Sequence, residues 1–124
     1  MRFARVKTPH EPESTSVLVM KEGDTLQGEK RSTEWDGWLW CTNNSGISAW
    51  VPEAYLSELA TSGLYHALRE YSSFELSVSL GQRLKILHEE ASWAWVQTSK
   101  GIEGWVPLEN LEELPSDAES SERI

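Results

Sequence analysis

The sequence predicts an all-β protein: two small β-barrels in tandem, residues 1–60 and 61–115, followed by an acidic tail, 116–124. Three observations lead there. The chain contains a long internal repeat, each copy alternates apolar and polar residues with a period of two, and no stretch carries a sustained helical period with caps.

The repeat is clearest in the second half of each copy. GWLWCTNNSGISAWVPEAYLSEL, from Gly37 to Leu59, lies without a gap against SWAWVQTSKGIEGWVPLENLEEL, from Ser92 to Leu114. Trp38 meets Trp93, Trp40 meets Trp95, Gly46 meets Gly101, and Trp50-Val51-Pro52 meets Trp105-Val106-Pro107, at a constant offset of 105 − 50 = 55. Upstream, Gly23-Asp24 answers Gly81-Gln82 at 81 − 23 = 58, so the first copy carries three extra residues before its Trp pair. Such length changes belong in loops. The short, small-residue stretch Ala60-Thr61-Ser62-Gly63 reads as the connector between the copies.

Within a copy, the alternation assigns faces. If Leu39, Cys41, Ala94 and Val96 point into a core, Trp38, Trp40, Trp93 and Trp95 point the other way. The same logic buries Val51 and Val106 and sends Trp50, Pro52, Trp105 and Pro107 outward. Thr-Asn-Asn-Ser-Gly in one copy and Thr-Ser-Lys-Gly in the other are hairpin turn material. Ser16 to Met20, Phe74 to Val78, Thr25-Leu26 and Arg83 to Leu87 supply the remaining strands. Each copy therefore presents an outer aromatic face, and neighbouring Trp side chains become cross-strand companions.

Composition restricts the function. The chain has 124 residues, seven of them Trp, and a formal net charge of −9, which disfavours phosphate backbones and anionic membrane surfaces as partners. Its lysines and arginines are scattered among more numerous acids, so nucleic acid is not expected as a partner. Cys41 is the one cysteine, which excludes an internal disulfide and a thiolate metal cluster and suits a reducing compartment. With no apolar stretch of membrane-spanning length, the expectation is a soluble, cytoplasmic protein without cofactor or metal. The tail PSDAESSERI, with its Pro, Ser and acidic residues, reads as disordered.

The second copy, ALREYSS, ELSVSLGQRLKIL and SWAWVQTSKGIEGWVPLENLEEL, resembles an SH3 domain over nearly all of Tyr65 to Leu114. Ala67-Leu68-Arg69-Glu70-Tyr71 looks like the family's opening ALYDY segment, Glu75 to Gln82 like its diverging turn, Trp93 falls on the signature Trp, and Gly104 to Leu111 stands where the family closes. The first copy is more divergent but keeps Gly23-Asp24, Trp38, Pro52, Tyr55 and Leu56. Tandem, degenerate units of this kind resemble bacterial variants of the family. The resemblance implies a shallow aromatic groove for proline-rich peptides. Carried over by residue, that groove is incomplete in both copies: Trp38, Pro52 and Tyr55 match in the first, and Tyr71, Trp93 and Pro107 in the second, where Arg69 and Asn110 replace tyrosines. The family's acidic loop is represented at most by Glu11 and Glu13, or by Glu70 and Glu75, which read equally well as solvated carboxylates.

The leading expectation is thus a non-enzymatic module that binds a protein or peptide, with proline-rich and basic segments among the candidates, through Trp38, Trp40, Trp50, Pro52, Tyr55, Tyr71, Trp93, Trp95, Trp105 and Pro107. The competing expectation is a rigid tandem whose Trp faces pack on each other, with partners meeting another surface. A cation-binding aromatic cage needs three converging rings, which a ladder along two strands does not supply. Catalysis has no support: His10, His66 and His88 share no motif, His88-Glu89-Glu90 reads as an exposed loop, and Cys41 falls on a core face without a His partner.

Overall fold

Alternation of the kind seen at Leu39 and Cys41 can be satisfied only by strands that bury one side, and strands account for the whole framework. The computed structural model describes residues 1–12 and 14–115, and they form an all-β protein. In chain order the strands are β1 (Arg2–Val6), β2 (Val19–Met20), β3 (Thr25–Glu29), β4 (Trp38–Thr42), β5 (Ser48–Pro52), β6 (Leu56–Glu58), β7 (Leu64–Ala67), β8 (Tyr71–Ser72), β9 (Arg83–Glu90), β10 (Trp93–Gln97), β11 (Glu103–Pro107) and β12 (Leu111–Glu113). Single 3-10 turns, Glu53–Tyr55 and Leu108–Asn110, precede β6 and β12. Two five-stranded antiparallel sheets run β11-β10-β9-β1-β12 and β5-β4-β3-β7-β6, and β2 pairs with β8. Among the described residues no helix is long and apolar enough to cross a membrane. Glu13 and the tail 116–124, expected to be disordered, lie outside the described residues.

The elements from β4 to β6 recur from β10 to β12 at the offset of 55 found in the sequence. Turn chemistry recurs with them. Gly46 and Gly101 take φ of +80° and +86° and donate to Asn43 O and Thr98 O, at 3.0 and 2.9 Å, where a side chain would be strained. Before β3 and β9, the Asp24 and Gln82 side chains accept from the amides of Lys21 (2.9 Å) and Ser79 (3.1 Å), the same local turn built with two different residues. Leu39, Cys41, Val51, Ala94, Val96 and Val106 are all buried, as the alternation requires.

The compact units are not the two copies, and the boundary expected near residue 60 is corrected here. One unit is residues 1–12 with 75–115; the other is residues 14–74. The opening strand β1 pairs with β9 and β12, while β7, the opening strand of the second copy, pairs with β3 and β6. Both places are structurally matched. Ala67 N donates to Asp24 O at 2.8 Å as Val6 N donates to Gln82 O at 2.9 Å, and Leu68 N donates to Tyr55 O as Lys7 N donates to Asn110 O. The physical reason lies in the supposed connector. Ala60 to Gly63 is a hairpin turn between β6 and β7, closed by Leu59 N to Leu64 O (2.9 Å) and Leu64 N to Thr61 O (3.2 Å), with Gly63 at φ +84°. So short a loop favours pairing β7 with its immediate predecessor, the pairing of least loop-closure entropy, and leaves β12 to β1.

Each unit has its own core. In the discontinuous unit Ala4 and Val6 of β1 pack with Leu76, Val78, Leu84, Ile86, Ala94, Val96, Val106 and Leu111. In the continuous unit Leu18, Met20, Leu26, Leu39, Val51 and Ala67 are buried. Each buried Leu or Val is worth about 1.5–3 kcal/mol relative to exposure.

Two other expectations change. Ser16 to Met20 shortens to the two residues of β2, and Phe74 to Val78 forms only bridges, Glu75 with Trp105 and Val78 with His10. His88-Glu89-Glu90 ends strand β9 rather than forming a loop, since Trp95, Ala94 and Trp93 of β10 pair with these three residues.

Candidate functional site

The outer face of the continuous unit is set by register. Trp38 opposes Pro52, Trp40 opposes Trp50, and Thr42 opposes Ser48 across β4 and β5. Trp40 and Trp50 meet edge to face, centroids 5.2 Å apart, the geometry favoured by the ring quadrupoles. Both are half-buried. Trp38 and Pro52 are buried, Trp38 to 7% exposure, because pointing away from one sheet does not place a side chain in solvent.

The exchange of strands reassigns Tyr71. The resemblance groups it with Trp93 and Pro107, but it shares a unit with Trp38, Pro52 and Tyr55. Its ring meets Tyr55 at 5.8 Å and its hydroxyl donates to Trp50 O at 2.9 Å. Both tyrosines are buried, and the Arg69 guanidinium lies 4.4 Å from the Tyr55 ring centroid. Four residues that match the resemblance are thus gathered in one unit.

The other unit holds the matching places differently. Trp93 opposes Pro107 and Trp95 opposes Trp105, whose centroids are 5.3 Å apart. His10 takes the place matching Tyr71: it stands four residues after Val6 as Tyr71 stands four after Ala67, and it bridges Val78 as Tyr71 pairs with Met20. Its ring meets Trp93 edge-on at 5.6 Å, and its Nε2 lies 2.9 Å from Glu75 Oε1. Asn110 takes the place of Tyr55; its Nδ2 donates to the carbonyls of Thr8 (3.1 Å) and Pro9 (3.2 Å). Trp105 is only 4% exposed and Pro107 is buried, while Trp93 and Trp95 are half-buried. Leu76 N donates to Trp105 O at 3.1 Å, which draws the 75–76 segment against β11. Trp95 Nε1 donates to Glu103 Oε1 at 2.8 Å.

Of the ten expected site residues, Trp40, Trp50, Trp93 and Trp95 therefore keep partly open faces, and Trp38, Pro52, Tyr55, Tyr71, Trp105 and Pro107 do not. Of the acidic candidates, Glu75 is engaged by His10, and Glu13 lies outside the described residues. Cys41 is fully buried, and desolvation pushes its thiol up to about 12. Among the described residues no three His, Cys, Asp or Glu side chains gather as metal ligands.

Beside Trp40 lies a groove of about 470 Å³ that the sequence did not single out, lined by Gln27, Glu29, Trp40, Thr42, Thr61 and Ser62 among others. Its signal was present only in register: Gln27 opposes Thr42 and Glu29 opposes Trp40, so these four share one face. Arg31 lies over this face, its guanidinium carbon 4.8 Å from the Trp40 centroid and its Nη2 3.1 Å from Glu29 Oε2.

The chain matches no protein-family model, no curated protein and no solved structure.

Proposed function

We propose that the chain is a pair of SH3-like barrels that exchange their opening strands and serve as a protein- or peptide-binding module without catalytic activity. Support for the barrel reading comes from the two five-stranded antiparallel sheets, the turns shared by the copies and the gathering of Trp38, Pro52, Tyr55 and Tyr71 in one unit. The observation that carries the binding reading is the half-buried aromatic pair Trp40 and Trp50, with Trp95 at the matching place in the other unit. Aromatic rings with one face covered and one open supply contact area at low conformational cost.

The second reading, aromatics that serve stability while partners meet another surface, is favoured for Trp38, Trp105, Tyr55 and Tyr71 by their burial. An array of proline-rich and basic decapeptides, followed by indole N–H shifts in NMR spectra, separates the two. The binding reading expects shifts at Trp40, Trp50, Trp93 and Trp95, and about tenfold weaker binding for Trp50→Ala with Trp95→Ala, each substitution removing contact area worth a hot spot. Unchanged binding by the folded double variant would refute it.

A further inference from the structure

The groove beside Trp40 has a definite chemistry. Gln27, Glu29, Trp40 and Thr42 come to one face through the β3–β4 register, and Thr61 and Ser62 complete the wall from the β6–β7 turn. That turn is tied down by Gly28 N donating to Gly63 O at 2.9 Å. Among the groove's lining residues Glu29 carries the one formal charge, and the others offer an amide oxygen, hydroxyl oxygens and an indole face. A flat cation with several donors meets the carboxylate, the oxygens and the indole face together, whereas an anion would be opposed by the Glu29 carboxylate.

The molecule already displays this recognition at the groove's edge. Arg31 places a guanidinium over Trp40 and on Glu29, yet its side chain is 47% exposed and that of Glu29 63%, so the contact is weakly held. Arg31 lies between β3 and β4, in the interval where the first copy is three residues longer than the second. Lysine would supply the charge but not the planar fork that stacks on indole while donating to a carboxylate. The chain's net charge of −9 favours a basic partner over an acidic one.

We infer that this groove receives an arginine side chain from a partner protein, which displaces the Arg31 guanidinium from Trp40 and Glu29. This rests on the peptide-binding reading and adds the residue recognised and the device that competes with it. Because Arg31 already engages Trp40 and Glu29 within the chain, its removal raises the apparent affinity for an outside arginine.

The test titrates isotope-labelled full-length protein with the peptide acetyl-Gly-Ser-Arg-Gly-Ser-amide and with the same peptide carrying citrulline, which keeps the shape and loses the charge. The arginine peptide is expected to shift the Gly28 and Gly63 amides and the Trp40 indole. Arg31→Ala is expected to bind it about fivefold more tightly, and Glu29→Gln in that background to lose about tenfold. Preserved spectral dispersion elsewhere shows that each variant is folded. Equal binding of the citrulline peptide, or no gain from Arg31→Ala, overturns this inference and leaves peptide binding intact. If neither these nor the array peptides shift any outer-face resonance, both readings fall.

Discussion

Arg2 forks onto Glu113 across 111 positions of sequence: Nε donates to Oε2 at 3.1 Å and Nη2 to Oε1 at 2.6 Å. Glu89 joins the same guanidinium. The pairing raises the Arg2 pKa and lowers that of Glu113, each chiefly through the hydrogen bond to the other. These groups are exposed, and such pairs are worth little on their own. The fork marks where β1 closes the sheet of the discontinuous unit, beside the register pair Ala4 and Glu113.

That closure makes fragment behaviour a sharp test. Residues 14–74 contain a complete five-stranded sheet and its core in one continuous stretch, so this fragment is expected to fold alone, with dispersed NMR resonances and a cooperative melt. Residues 1–60 carry β1 without β9 and β12, and β3 and β6 without β7, and are expected to remain unfolded. A folded 1–60 and an unfolded 14–74 would contradict the exchange of strands.

How much of this was legible follows from which interactions are local. The strands β4, β5, β10 and β11 could be read because Leu39, Cys41, Ala94 and Val96 alternate with Trp and because Gly46 and Gly101 mark the hairpins. The partner of β7 could not be read from its own residues, since β1 and β7 bring Val6 and Ala67 to matching places and either could fill either unit. Only the length of the turn from Ala60 to Gly63 decides it. The burial of Trp105 was hidden for a different reason: the alternation of Phe74 to Val78 suggests a strand, but the segment reaches β11 only through the single bridge of Glu75 with Trp105. The Trp40 groove was invisible because Glu29 and Gln27 become its neighbours through register, not spacing.

Cys41 gives stability a definite dependence on pH. Its thiol is raised from the ordinary 9.0 to about 12 by burial, so above pH 9 the unfolded chain ionises while the folded one stays protonated. The folded state then binds more protons, and stability is full below pH 9 and falls as pH rises toward 12, by up to about 1.4 kcal/mol per pH unit. Urea melts between pH 8 and 10.5 are expected to show a flatter decline for Cys41→Ala than for the parent chain. Native Cys41 is also expected to resist thiol reagents until the protein unfolds.

Gly28 is required by space, not by backbone conformation. A Cβ there would lie 2.5 Å from Tyr65 Cε1 and 2.6 Å from Leu39 Cδ2, two side chains held by the β3–β7 and β3–β4 pairings. Gly28→Ala is expected to cost about 1–3 kcal/mol, the range for overpacking a close-packed site, read as a lower urea midpoint. Gly23→Ala, where nothing lies within 4 Å but φ is +93°, separates backbone strain from crowding.

Asn110 and Tyr71 each tie down a segment by a side-chain donor, one in each unit, and their substitutions should separate accordingly. Asn110 is 8% exposed and donates to two carbonyls, those of Thr8 and Pro9, pinning the segment that carries His10. Asn110→Ala is expected to cost about 1–3 kcal/mol, because it removes the donor that both carbonyls share. Tyr71→Phe, which deletes the hydroxyl and its bond to Trp50 O, is expected to cost about 0.5–1.5 kcal/mol. Hydrogen exchange locates the losses: faster exchange at His10 and Val78, whose amides bond each other's carbonyls at 3.1 and 2.9 Å, in the first variant, and in residues 14–74 in the second. Loosening of residues 14–74 by Asn110→Ala, with His10 and Val78 unaffected, would show that these contacts do not belong to the units assigned to them.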